Sequence, residues 1–273
     1  MSRTAFVTIA GRTNAGKSSL LNAIVGEKIA SVSNKPQTTR TRITGIRNID
    51  DVQLVFFDTP GLHKPVNKLS EHMLNTVKES VSDIDAVVFV MDCTKKINQQ
   101  ELDLLKSMNA SKMPIILVLN KIDLLKNKDE LAPVIADLTS KIKFQAVVPV
   151  SVTENSGVDI VIDEIIALSE ESVHFFPDDM ITDQPERLII AELIREKILH
   201  VTEDEVPHSI AVDLEEFTER DNGTIFIRAT IYVERDSQKG ILIGKGGAML
   251  KNVGKAARPE IEMLLGTKVF LDL

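Results

Sequence analysis

Two hydrophobic rhythms divide the chain. Up to about Ser169, short continuous apolar runs alternate with amphipathic stretches. Thr4–Ala10, Val52–Phe57, Ala86–Met91 and Ile115–Leu119 are such runs, each the length of one buried strand. Continuous rather than alternating apolar character predicts strands covered on both faces, as in a mostly parallel sheet wrapped by helices. Ser18–Gly26 reads as the first helix. The rhythm breaks at Phe175-Phe176-Pro177-Asp178-Asp179, an acidic, proline-bearing segment that reads as a linker. From Pro185, Leu188, Ile189, Ala191, Leu193, Ile194 and Ile198 recur at helical spacing. Ser209–Glu216 and Thr224–Glu234 then read as strands joined through Arg220-Asp221-Asn222-Gly223, a suitable hairpin turn. A glycine loop, a helix, a second helix from Arg258 and a short last strand, Lys268–Leu273, complete the pattern. The expected organisation is an α/β domain over 1–172, a linker over 173–184 and a smaller α+β domain over 185–273.

Composition narrows the class. At 273 residues the chain can build two cores, and its apolar runs are too short to cross a bilayer as helices. Arg3 leads directly into a strand-like run, so no secretory signal is expected. Cys93 is the only cysteine, which excludes a disulfide framework and a multi-cysteine metal site. A soluble, cytoplasmic protein is expected. The net charge of −8 argues against coating nucleic acid by bulk electrostatics. Locally the pattern differs: from Ser237 to Pro259 the ionisable residues are Lys239, Lys245, Lys251, Lys255 and Arg258, with no carboxylate.

Candidate chemistry falls at the ends of the predicted strands. Gly11-Arg12-Thr13-Asn14-Ala15-Gly16-Lys17-Ser18 fits a phosphate loop, and its strand–loop–helix context gives the match a mechanism. Backbone N–H groups and the helix N-terminus would face phosphate oxygens. Lys17 would reach the β- and γ-phosphates and the Ser18 hydroxyl would bind Mg²⁺. Asp58 ends one apolar run and is followed by Thr59-Pro60-Gly61. Its carboxylate would meet the Mg²⁺ shell, and the Gly61 N–H would sense the γ-phosphate. Asn120-Lys121-Ile122-Asp123 ends another run. An Asp123 carboxylate accepting from N1–H and the 2-amino group of guanine rejects adenine, which lacks that donor pair. Lys121 would pack over the loop and Ser151 would meet the base edge through its backbone. Between the first helix and the next strand, Lys35-Pro36-Gln37-Thr38-Thr39-Arg40 is suited to a switch segment, with Thr39, or else Thr38, binding Mg²⁺ when a γ-phosphate is present. These segments predict a GTP/GDP-binding, P-loop G domain.

In the second domain, the predicted order with Gly244-Lys245-Gly246-Gly247 between helices is similar to a K-homology (KH) domain. Such a fold clamps about four nucleotides of single-stranded RNA. Lys245 would meet phosphate, Lys251 belongs to the same basic run, and Ile241 and Ile243 would wall the groove.

The whole pattern resembles the bacterial Era GTPases. The resemblance rests on the phosphate loop, Gln37-Thr38-Thr39-Arg40, Asp58-Thr59-Pro60-Gly61-Leu62-His63 and Asn120-Lys121-Ile122-Asp123. Beyond the nucleotide motifs it includes Ile181-Thr182-Asp183-Gln184-Pro185-Glu186-Arg187, Glu205-Val206-Pro207-His208-Ser209 and the Gly244–Gly247 loop. It implies a type II KH domain, binding to the 3′ region of 16S ribosomal RNA, a role in 30S subunit assembly, and a monomer. It also carries a family tendency toward the inner face of the cell membrane, for which the chain shows no amphipathic signature. Leu62 stands where many Ras-like proteins carry a catalytic glutamine, an apolar substitution shared by Era-like GTPases, so slow intrinsic hydrolysis is implied. In related GTPases an asparagine at the place of Asn14 helps coordinate K⁺, which implies the same here. Lys17, Thr39, Gly61 and Asn14 are then the residues nearest the reaction. Thr13 and Ala15 replace the proline and valine more usual in the family's loop and fit sterically. Era relatives typically continue past Leu273 with a basic and aromatic tail, so weaker RNA affinity is expected of this chain. Two other readings compete: GTP as a structural cofactor without relevant hydrolysis, and a GTP-regulated protein-interaction platform with little RNA binding.

Overall fold

The computed structural model describes residues 1–32, 43–58, 84–202 and 210–273. Asp58 is described through its backbone alone. Two compact units emerge, one of residues 1–29 and 39–183, the other of residues 30–38 and 184–273.

The first unit is built on one sheet with strand order β2-β3-β1-β4-β5-β6. β1 (Arg3–Gly11) lies between β3 (Val52–Asp58) and β4 (Ala86–Asp92) and is parallel to both. β5 (Ile115–Asn120) and β6 (Ala146–Val150) extend the parallel set, and β2 (Ile43–Ile49) runs antiparallel to β3. Every residue of β4 and β5 is buried, the outcome expected of unbroken apolar runs. Helices α1 (Lys17–Val25), α2 (Gln99–Ala110), α3 (Leu131–Lys141) and α4 (Val158–Ile166) follow strands of the sheet. α2 begins with a reciprocal cap: the Glu101 N–H donates to Asn98 Oδ1 (2.8 Å) and the Asn98 N–H to Glu101 Oε2 (2.9 Å).

The segment read as a linker is stitched to this sheet. β7 (Glu170–Glu171) pairs with Arg3 and Thr4. Fully buried Gln53 accepts from the N–H groups of Phe175 (2.7 Å) and Phe176 (3.0 Å) and donates to the Phe176 carbonyl (2.9 Å). Phe175 meets Phe6 edge-on at 5.0 Å, and the Ile46 N–H donates to the Ile181 carbonyl. Composition signalled proline and acid here; the buried amide that satisfies this backbone belongs to a distant strand.

In the second unit, α5 (Glu186–Val201), α6 (Asp236–Ile243) and α7 (Ala248–Leu265) pack with a sheet of order β10-β9-β8. β8 (Ile210–Glu219) and β9 (Ile225–Val233) are antiparallel, and β10 (Val269–Asp272) is parallel to β9. This is the α+β order expected of a KH fold. One boundary differs: no helix starts at Arg258, because α7 runs unbroken through Pro259. Val253, Ala257 and Ile261 are fully buried at four-residue spacing, so packing carries the helix across the hydrogen bond that proline removes. The short stretch Ala30–Val32 also belongs to this unit. Ser31 Oγ donates to the Glu192 carbonyl (3.1 Å), and the Val32 N–H to Glu196 Oε2 (2.8 Å). Among the described residues no helix is long and apolar enough to cross a membrane.

Ile194 is fully buried in the second core, whereas Ile241 is 52% exposed. Ile194→Ala is expected to cost about 2–5 kcal/mol and Ile241→Ala under about 0.5 kcal/mol, read from urea unfolding midpoints.

Candidate functional site

The C-terminal edge of the parallel sheet gathers the sequence motifs. β1 delivers Gly11, the loop Arg12–Gly16 follows, and α1 starts at Lys17. β5 delivers Asn120, and β6 leads into Ser151. The loop is tied to the β5 motif through its own carbonyls. Asn120 Nδ2 donates to the Ala15 carbonyl (2.8 Å), and Lys121 Nζ donates to the Asn14 carbonyl (2.8 Å). In a trans peptide the carbonyl and the following N–H point in opposite directions. Holding the Asn14 and Ala15 carbonyls therefore aims the N–H groups of Ala15 and Gly16 away from β5. On that other side, the Ala15 N–H (3.3 Å) and Lys17 Nζ (3.0 Å) both donate to the Arg12 carbonyl. Gly16 permits this approach: it holds φ at 103°, and a Cβ there would come within 2.1 Å of Asn120 Nδ2.

Asp123 stands exposed in a short turn, Ile122–Leu124, and its Oδ1 accepts from Ser151 Oγ at 2.7 Å. Ser151 is fully buried and its backbone is closed on Ser156. The sequence assigned it a backbone role; the structure adds a hydroxyl that orients the Asp123 carboxylate. Asp58 ends β3 with its backbone in register with Ile9, two residues before Gly11. Thr39, Thr59, Pro60, Gly61 and Leu62, together with Lys35–Thr38, Arg40 and Glu205–Ser209, lie outside the described residues.

Sequence reasoning missed Asp92. It ends β4 and is 6% exposed; Oδ2 accepts from Lys121 Nζ (2.8 Å), and Oδ1 from the Thr94 N–H (3.1 Å) and Oγ (2.6 Å). Burial opposes its ionisation, but the bonds from Lys121 and Thr94 together outweigh burial and hold its carboxyl below its ordinary value. The available signal was positional: an aspartate at the carboxyl end of a central parallel strand.

In the second unit, Gly244 ends α6, Lys245–Gly247 forms one tight turn, and α7 begins at Ala248. At Gly246 (φ 61°) and Gly247 (φ 79°) a Cβ would meet no atom within 4 Å, so the backbone there is open to approach. Beside this loop lies an apolar groove of about 210 Å³, walled by Ala229, Ile231 and Val233 of β9, Leu242 and Ile243 of α6, and Leu250 of α7. Lys239 also lines it. Ile243 lines this groove, whereas Ile241 lies half-exposed on α6, outside the lining. Lys251 is exposed in the first turn of α7.

A phosphate cradle tied to an Asn-Lys-x-Asp motif, and a separate Gly-x-x-Gly groove, define the class: a GTPase carrying a KH domain. Residues 6–121 match the family described as 50S ribosome-binding GTPase, and residues 205–273 match the KH domain. The chain is 46% identical to GTPase Era of Ruminiclostridium cellulolyticum over 271 residues, covering 99% of this chain and 91% of that protein. It superposes with a TM-score of 0.93 on a point variant of Aquifex aeolicus Era bound to GDP and AlF4⁻, at 36% identity, covering 99% and 92% of the two chains. With a TM-score of 0.92 it also matches Era in complex with MgGDPNP and nucleotides 1506–1542 of 16S ribosomal RNA, at 35% identity over 100% and 93%. The chain belongs to the Era family of GTPases. Its reaction is the hydrolysis of GTP.

Cys93 follows Asp92 directly. Burial first, and then the Asp92 carboxylate, push its thiol up to about 11. At pH 8 the native thiolate is therefore scarce, whereas an unfolded cysteine with a pKa of about 8.5 is substantially ionised. Iodoacetamide is expected to alkylate the native protein about two orders of magnitude more slowly than the urea-unfolded chain. The native rate should climb steadily as pH rises toward 11, as measured by mass spectrometry.

Proposed function

We propose that the chain is a GTP-dependent switch that binds the 3′ region of 16S ribosomal RNA and assists assembly of the 30S subunit in the cytoplasm. The observation that carries the RNA half is the open Gly246–Gly247 backbone beside an apolar groove. A sugar–phosphate backbone can approach glycine N–H groups closely, bases can lie against the apolar wall, and Lys239, Lys245 and Lys251 supply positive charge. An Era protein solved with nucleotides 1506–1542 of 16S RNA supports the choice of RNA.

In the nucleotide half, the loop N–H groups aimed by Asn120 and Lys121 receive phosphate oxygens, and Lys17 turns from the Arg12 carbonyl to the β- and γ-phosphates. Asp123, oriented by Ser151, reads guanine. The Ser18 hydroxyl, together with the Asp58 carboxylate and the Thr39 hydroxyl that the sequence nominates, would offer an oxygen donor set that suits Mg²⁺. Bound there, Mg²⁺ would supply positive charge to the phosphates during hydrolysis. The Gly61 N–H senses the γ-phosphate. Asn14 would help hold K⁺, which would add positive charge to the phosphate site, and Leu62 leaves intrinsic hydrolysis slow.

Binding of an oligonucleotide from the 16S 3′ end tests the switch, measured with a GTP analogue and with GDP. Tighter binding with the analogue is expected, with on the order of tenfold loss on Lys245→Glu plus Lys251→Glu. Undiminished binding by the charge-reversed protein would favour the protein-interaction platform instead. Replacing K⁺ by Na⁺ is expected to slow GTP turnover, and equal rates in the two salts would remove K⁺ from the site.

A further inference from the structure

Asp92 is a costly residue to keep where it stands. A carboxylate 6% exposed gives up most of its hydration, and an ion pair in such a place seldom stabilises a fold more than an apolar substitute would. Its close bonds divide between its two oxygens, however. Thr94 holds Oδ1 through both its N–H and its hydroxyl, which leaves Oδ2 to accept from Lys121 Nζ at 2.8 Å. Lys95 reaches the same Oδ2 at 3.5 Å from a half-exposed position, a weaker second contact. The same Lys121 ammonium donates to the Asn14 carbonyl at 2.8 Å. Lys121 itself sits at φ 71°, a backbone geometry uncommon for a side-chain-bearing residue.

We propose that Asp92 is a positioning residue of the nucleotide site: it fixes the Lys121 ammonium, which in turn holds the Asn14 carbonyl and so aims the Ala15 N–H into the phosphate cradle. Without the carboxylate, a lysine on a flexible four-carbon stem is free to turn toward solvent. The Asn14–Ala15 peptide can then rotate, and a loop that must be ordered on binding binds more weakly. Asp92 touches no nucleotide in this scheme and acts only through Lys121. The inference rests on the nucleotide-site reading above.

The test is a double-mutant cycle on the full chain, with affinity for fluorescent GDP as the readout. Asp92→Asn keeps the shape and removes the charge, and is expected to weaken GDP binding on the order of tenfold. Lys121→Met should weaken it at least as much, and the double variant should be no worse than Lys121→Met alone, because the first change then has nothing to act through. Losses that multiply would show Asp92 acting independently of Lys121 and would overturn the proposal, as would wild-type affinity in Asp92→Asn. If Lys121→Met alone left affinity intact, the nucleotide-site reading would fall, and this proposal with it. Should Asp92→Asn not fold, exposed Thr94→Val decides, since it removes the hydroxyl's bond to Oδ1, keeps the backbone N–H bond and leaves the carboxylate in place. It is expected to give a smaller loss, about threefold, that vanishes in the Lys121→Met background. No loss, or one that persists there, overturns the proposal.

Discussion

A phosphate loop works through backbone N–H groups, and a backbone N–H can be aimed only by controlling the peptide that carries it. In this protein that control comes from outside the loop. Asn120 and Lys121 take the carbonyls of Ala15 and Asn14, and Gly16 keeps the space that lets Asn120 come close. The arrangement places two demands on the fold. β5 must carry Asn120 beyond the end of β1, and the registers of the intervening strand β4 set this: Gly11 pairs with Val90, and Val90 with Val118, two residues before Asn120. The side chains at the end of β5 must also be held, and buried Asp92 and the Val152 N–H, which donates to Asn120 Oδ1, both contribute. The Asn-Lys-x-Asp motif and the phosphate loop are thereby mechanically one unit.

The KH unit solves a related problem by a different route. Its loop also presents backbone, but among the described residues no side chain of another strand reaches over to pin it. The tight turn Lys245–Gly247 is set by α6 and α7 at its two ends, and openness at Gly246 and Gly247 serves where pinned carbonyls serve in the first unit. A pinned loop suits one small, highly charged ligand. An open loop beside an apolar groove suits a chain of nucleotides that must slide into register.

Much of this was legible in the sequence, because both sites lie where secondary structure changes. Unbroken apolar runs marked the parallel strands, and the motifs at their ends marked the sheet edge. Asp92 escaped because a lone aspartate after an apolar run has the same local appearance as a turn cap, and its bond to Lys121 spans two strands. The Ser151 hydroxyl escaped for the same reason, since Asp123 lies twenty-eight positions earlier. The break expected at Arg258 followed local proline chemistry, which the buried stripe of Val253, Ala257 and Ile261 overrides. Ile241 and Ile243 looked equivalent as neighbours on one helix, yet two positions along a helix point to different faces, and only Ile243 meets the groove.

The stretch Ala30–Val32 gives the second unit a discontinuous ancestry along the chain. Glu196 is 1% exposed, and part of its carboxylate's hydrogen bonding comes from the Val32 N–H, contributed from more than a hundred and fifty positions upstream. Lys197 neutralises the same carboxylate and reaches on to Glu260 of α7. A fragment cut cleanly at Gln184 would keep every strand and helix of the KH fold yet lose that donor, leaving a buried acid under-solvated next to the helix that follows the glycine loop. The KH unit is therefore not a detachable cassette: part of what satisfies its interior comes from Ala30–Val32, far upstream along the chain.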